Sequence, residues 1–342
     1  MKKELLAFAV ALLATLPALA GVGLAELPGA GTDGPVTLYY PSSAADQSVT
    51  RGPFTMQLAP QGPPVRGNGR LVVISHGSGG APWVHSTLAR VLVSEGFVVA
   101  MPEHKGDNYR DTGSPGPDSW KQRPAEVSRA IDAVAAAPRF AALLELDRVG
   151  MYGMSAGGHT ALSLAGGRWS PRLFLKHCET HIKADFPACV GLFTRLTGGW
   201  LDGLKKNVAV AVLRQRFDDP TWQVHSDPRI RAIVAGVPAA ADFDPESLAA
   251  PRVPLGLVTA GKDRWLSPRF HSEPILRACA PCERIAHLPD AGHGFLLSPP
   301  VPASVLGKTA GELLNDPPGF DRNVLPEVDR KIAAFFTRHL LP

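Results

Sequence analysis

Several things are scarce in this 342-residue chain, and each scarcity narrows what it can be. Charged residues make up only 19% of it and the formal net charge is +4, with no dense basic run, so nucleic acid is not an expected partner. Past the amino terminus no apolar run is long enough to cross a bilayer. No set of His, Cys, Asp and Glu has the spacing of a metal site, so no metal is expected. The glycines form neither G-x-x-x-x-G-K-[ST] nor G-x-G-x-x-G, which removes the common phosphate-binding loops. Neither an internal repeat nor a low-complexity tract is present.

Cysteine is also rare, with four copies. Cys178 and Cys189 lie in one irregular region, and Cys279 and Cys282 form a C-x-x-C that ends a helix rather than opening one. Three pairings are possible; the two local ones, Cys178–Cys189 and Cys279–Cys282, are favoured as structural bridges. That use of cysteine matches the amino terminus. Lys2 and Lys3 precede an apolar stretch from Leu5 to Leu16, and Ala18-Leu19-Ala20 forms an A-x-A-like cleavage site, so residues 1–20 are expected to be an export signal cleaved there or as late as residue 25. The apolar stretch is too short for a stable membrane anchor and no lipid-accepting cysteine follows it, so a periplasmic or secreted protein is the expectation.

What is present is a core-forming composition, 45% hydrophobic, punctuated by 33 prolines and 34 glycines. The expected segments run in alternation. After a flexible stretch at 21–34 come strands at 36–40, 54–58 and 71–75, a helix at 84–95 and a strand at 97–101. A polar loop follows, then a helix at 124–137 and a strand near 149–154. Further strands are expected near 230–235, 253–259 and 284–288, and a last helix at 324–340. Buried apolar runs alternating with helices specify βαβ units and a mainly parallel sheet, an α/β architecture. The rhythm breaks between about 168 and 228, expected to be a partly helical insertion over the site, with Phe174, Phe186, Phe193, Trp200 and Trp222.

The chemistry centres on Gly153-Met154-Ser155-Ala156-Gly157, a strand followed at once by a helix. In this turn the serine hydroxyl is thrust clear, and the glycines let strand and helix approach. Serine needs a base, and the base needs an acid to hold it. His293, flanked by glycines after the last expected strand, is the candidate base. Asp263, directly after the strand at 253–259, is the candidate acid, with Asp242 and Asp244 after the preceding strand as alternatives. Two backbone amides must face the developing oxyanion: Ala156, at a helix N-terminus, and Ser78, in the loop after strand 71–75, with Gly79 as its alternative. His159 reads as a packing residue. Lys105, Asp107, Tyr109 and Arg110 read equally as pocket wall or as solvated loop.

These pieces together resemble the α/β-hydrolase superfamily, and within it the exported dienelactone-hydrolase-like branch related to platelet-activating-factor acetylhydrolases. The resemblance spans 35–342 and rests on Ser75-His-Gly-Ser-Gly-Gly80, His104-Lys-Gly-Asp-Asn-Tyr-Arg-Asp111, the Ser155 turn, Asp263 and Gly292-His293. It implies a mostly parallel sheet of about eight strands and serine ester hydrolysis without a cofactor, on a small-molecule or lipid-like ester. Dienelactone hydrolases proper carry a cysteine where Ser155 stands. The acetylhydrolases take their acid after the earlier strand, which keeps Asp242 and Asp244 open. An amidase, peptidase or acyltransferase would use the same machinery. A non-catalytic binding protein on this fold would lack one of its members.

Overall fold

The computed structural model describes residues 21–342; the expected export signal lies outside the described residues. The chain starts with a four-stranded arm, β1 (Gly21–Leu27), β2 (Val36–Ser42), β3 (Gln47–Arg51) and β4 (Phe54–Pro60). Then come β5 (Leu71–Ser75), α1 (Ser86–Ser94), β6 (Val98–Pro102), α2 (Pro117–Ala135), the short α3 (Pro138–Ala141), β7 (Val149–Met154) and α4 (Ala156–Leu164). A two-residue strand, β8 (Arg168–Trp169), leads to α5 (Pro171–His181), α6 (Phe186–Val190) and α7 (Asp202–Arg216). The sheet resumes with β9 (Ile230–Gly236), followed by β10 (Phe243–Asp244), β11 (Leu255–Ala260), α8 (Ser272–Ala278) and β12 (Glu283–Leu288). Helices α9 (Lys308–Leu314) and α10 (Leu325–Leu340) end the chain.

Ten strands form one sheet in the order β12-β11-β9-β7-β5-β6-β2-β1-β4-β3, while β8 and β10 pair separately. The six strands from β12 to β6 are mutually parallel, and β2 joins β6 antiparallel. Strands β5, β6 and β7 are buried at every position, as expected for strands covered on both faces. Helices α1 and α10 cover one face and α2, α4 and α8 the other, each over its own apolar layer. Helix α10 shows the cause in its sequence: Leu325, Val328, Ile332, Phe335, Phe336 and Leu340 recur at helical spacing and are all buried.

Ten strands replace the expected eight because two segments assigned to flexible or polar chain are paired. Residues 21–27 form β1, antiparallel to β2 from Gly21↔Ser42 to Leu27↔Val36, and parallel to the end of β4. The Gly-Val-Gly-Leu-Ala run is short, but its glycines fit it against a neighbour: a Cβ on Gly23 would lie 2.1 Å from the Tyr40 ring. The polar strand β3 completes a hairpin with β4 at the sheet edge, where charge is tolerated. Helix α2 also begins earlier than expected, with Pro117 at its first turn, and it carries Pro124 in its interior. That extra length matters, because it brings Arg123 inside the molecule.

Successive crossovers place β6 on one side of β5 and β7 on the other. The loops leaving the carboxyl ends of β5 and β7 therefore diverge and open a crevice at this switch in strand order.

Candidate active site

Ser155 stands at that crevice with φ +59° and ψ −117°, a conformation that costs a non-glycine residue energy and that its neighbours enforce. Its N–H donates to the Gly236 carbonyl at 3.0 Å, and its carbonyl accepts from the His159 and Ala239 amides at 3.0 and 3.1 Å. The flanking glycines are sterically required. A Cβ on Gly153 would sit 1.9 Å from the Gly157 oxygen, and one on Gly157 would sit 1.9 Å from the Ser75 oxygen.

The three side chains expected from distant parts of the sequence meet here. His293 Nε2 lies 3.0 Å from Ser155 Oγ, and its Nδ1 lies 2.7 Å from Asp263 Oδ2. The other carboxylate oxygen of Asp263 accepts from the backbone amides of Trp265 and Leu266, at 2.9 and 2.8 Å. With Nδ1–H committed to Asp263, the imidazole presents a lone pair at Nε2 to the serine hydroxyl. His293 and Asp263 are both buried.

The rival carboxylates have other partners. Asp242 bonds His159 Nε2 at 2.9 Å, and His159 is enclosed by the rings of Trp120, Trp169 and Phe243. Asp244 pairs with Arg168 at 2.5 Å and caps the turn at 245–248. Neither is bonded to His293.

On the β5 side, the amides of Ser78 and Ala156 have no acceptor among the described residues, and both residues line the cavity beside Ser155. Gly79, the alternative donor, is already used: its N–H donates to Asp107 Oδ1 at 3.0 Å. The close approach of this loop to the serine depends on Gly77, whose hypothetical Cβ would lie 3.3 Å from Ser155 Cβ. Of the polar loop residues, Asp107 alone supports the site. Lys105 reaches Thr32, and the exposed Tyr109 packs on Trp83 and Arg110.

Residues 171–217 are mostly helical and form the outer wall of a cavity of about 770 Å³. Its lining is predominantly apolar. Leu204, Val208 and Val212 lie one turn apart along α7 and remain about half exposed, with their side chains turned to the cavity instead of a packed core. Phe174, Phe193 and Phe217 contribute aromatic wall, and Trp120 and Trp265 flank the serine side. Phe186 is buried, whereas Trp200 is 89% exposed beyond the cavity wall and Trp222 stacks on Arg168. The outer wall is braced by the Cys178–Cys189 disulfide between α5 and α6; the second disulfide, Cys279–Cys282, closes the turn between α8 and β12. Asp185, before α6, ties the outer wall to the start of α8: it accepts from His177 on α5 and from His271, a cavity residue. Among the described residues no group of three or more His, Cys, Asp or Glu is disposed to hold a metal ion.

The family described as "Platelet-activating factor acetylhydrolase, isoform II" matches residues 61–112, the span holding β5, the Ser78 loop, β6 and Asp107. Among solved structures, a ferulic acid esterase from Streptomyces cinnamoneus superimposes with a TM-score of 0.60 at 16% identity, covering 94% of this chain and 89% of that one. The chain has the α/β-hydrolase fold. No curated protein matches the sequence. In this fold the central parallel strands form the scaffold, and the helices at 171–217 are the part that shapes this cavity.

Sequence reading passed over two buried groups near the site, Arg123 and His271. Arg123 stands in a stretch assigned to a loop, and nothing local marks it as buried. His271 gains its place from contacts far away in the chain, with Asp185 and with the Ala240 amide.

Proposed function

We propose that the protein is a serine carboxylic-ester hydrolase acting through an acyl-enzyme. The observation that carries this reading is the continuous chain of bonds from Ser155 to His293 to Asp263 at the wall of an apolar cavity. Ser155 Oγ attacks the ester carbonyl as His293 Nε2 takes its proton. Asp263 holds the imidazolium that results, and the Ser78 and Ala156 amides receive the oxyanion. His293 then protonates the departing alcohol, and water releases the acid by the same route. A fluorophosphonate is expected to label wild type at Ser155 and to leave Ser155→Ala unlabelled; equal labelling of both would refute the assignment.

The cavity supports an ester with a bulky apolar acyl or aryl part, because its wall is predominantly apolar. Leu204→Asp and Val208→Asp place a carboxylate in that wall. Each is expected to raise KM for a hexanoyl or cinnamoyl ester roughly tenfold, from the lost apolar contact and the desolvated charge. KM for an acetyl ester should move by much less. Equal effects on both substrates would mean that the acyl group does not lie along α7.

Export is part of the same proposal. Two disulfides suit an oxidising compartment, and no helix among the described residues is long and apolar enough to cross a membrane. Cleavage after residue 20 leaves β1 whole, whereas cleavage after 25 would remove most of a strand in which Ala25 is buried against Leu38. Amino-terminal sequencing of the exported enzyme is therefore expected to begin at Gly21 rather than at Glu26.

A further inference from the structure

Beneath the loop that follows β5 lies a polar network with no part in the proton transfers. Asp107 is fully buried. Its Oδ1 accepts from Ser78 Oγ at 2.5 Å and from the Gly79 amide at 3.0 Å, and its Oδ2 accepts from Arg123 Nη2 at 2.9 Å. Arg123, also fully buried, donates through Nη1 to the His76 carbonyl at 2.5 Å, through Nη2 to the Asp107 carbonyl and through Nε to Ser119. His76 Nδ1 donates to the Gly77 carbonyl, and its Nε2 accepts from the His104 amide. His104 in turn bonds Ser75 Oγ at 2.7 Å and Glu126 at 2.5 Å. Every residue from Ser75 to Gly79 is thus tied through side chain or backbone to the segment 104–107, to Arg123, or to its own neighbour.

We propose that Asp107, backed by Arg123, is the positioning residue of the oxyanion site, fixing the peptide planes on both sides of Ser78 so that, of the amides in this loop, only that of Ser78 faces the reacting carbonyl. Gly77 and Gly79 give this loop the freedom to reach Ser155, and the same freedom allows its peptides to rotate. Gly79 already has φ +64°. The bond to Asp107 turns the Gly79 N–H away from the substrate, and the Ser78 hydroxyl anchors the residue between the two glycines. An amide that must reorient during the reaction stabilises the oxyanion less than one fixed beforehand. The carboxylate suits the task. Burial opposes its ionisation, but the Arg123 charge and the Ser78 and Gly79 bonds outweigh that and hold it below its ordinary pKa. Its charge is matched by Arg123, so it adds little field of its own at the oxyanion.

This inference rests on the ester-hydrolase reading of Ser155, and the test separates the two. Asp107→Asn sets an amide NH2 against the Arg123 guanidinium whenever its oxygen faces Ser78. Active sites are first counted by fluorophosphonate titration, then kcat per active site, KM and the Ki of an alkyl boronic acid, which mimics the tetrahedral intermediate, are measured. The expected result is a fall in kcat per site of roughly tenfold to 100-fold, a matching rise in Ki, and KM within threefold of wild type. A purely structural role would reduce the number of active sites and leave each one unchanged. Ser78→Ala, which removes only the hydroxyl, is expected to shift kcat and Ki in the same direction by a smaller factor, and Ser78→Thr to restore both. This pair decides the matter if Asp107→Asn does not fold. Variants within threefold of wild type in both kcat per site and Ki overturn the inference alone. A wild-type enzyme left unlabelled at Ser155 overturns it together with the reading on which it rests.

Discussion

Asp263→Asn is expected to lower kcat by about 10⁴-fold, from a change of tautomer rather than of position. Two backbone donors, Trp265 N–H and Leu266 N–H, hold one side of the Asp263 carboxylate. In the variant those donors select the amide oxygen, which leaves the NH2 group facing His293 Nδ1. The imidazole must then accept at Nδ1 and carry its proton on Nε2, where it can donate to Ser155 but cannot take its proton. Side-chain volume is unchanged, so folding and KM should be close to wild type. The same substitution at Asp242 tests the rival acid. It removes a partner of the His159 imidazole, which lies among aromatic rings and makes no bond to the Ser155 hydroxyl, so its kcat should fall far less. If Asp242→Asn proves the more damaging of the two, the acid has been misassigned.

The parts of this molecule that were readable in its sequence are those fixed by short-range rules. Short runs such as Leu71–Ser75 and Val149–Met154 read as covered strands, because five or six apolar or small residues with no polar face are too few for a helix and avoid water on both sides. The Ser155 turn is legible because glycines at 153 and 157 are required by sub-2 Å backbone approaches that no other residue permits. Asp263 and His293 could be named because each closely follows a strand on the carboxyl side of a parallel sheet, where loops converge. The illegible parts are fixed by partners far away in the chain. Strand β1 depends on pairing with β2 and β4, and a seven-residue segment with two glycines has no strong preference of its own. Asp107 and Arg123 look like ordinary loop charges until the fold buries them together. The helices at 171–217 carry apolar residues that face a cavity, so their pattern fits neither a core-packed helix nor a solvated one.

One buried acid is expected to make stability fall as pH rises from about 4 to 7. Asp329, on α10 beneath β7, is 5% exposed, and its Oδ2 has no hydrogen-bond partner among the described residues. Burial pushes its pKa up from 3.8 to about 7, with the Arg322 charge only partly opposing, and buried Tyr152 is its near neighbour. The sign follows from which state ionises first. Below about pH 4 the carboxyl is neutral in both states and costs nothing. Between 4 and 7 the unfolded chain loses this proton and the folded chain keeps it, so stability falls as pH rises and levels off above about 7. The full difference corresponds to about 4 kcal/mol, an upper figure that relaxation of the site would reduce. Asp185 works in the opposite direction. Burial favours its neutral form, but the bonds from His177 and His271 outweigh that and hold its pKa at about 2, so the stability it provides is lost only as pH falls from about 4 through 2. Asp329→Asn cannot ionise and should abolish the loss between pH 4 and 7. Denaturant unfolding of wild type and variant at pH 5 and pH 8 is the measurement. The variant's advantage should be larger at pH 8, by roughly 2–3 kcal/mol relative to pH 5. A difference that does not change between the two pH values would mean that Asp329 ionises at an ordinary pKa in the folded protein and that water reaches it.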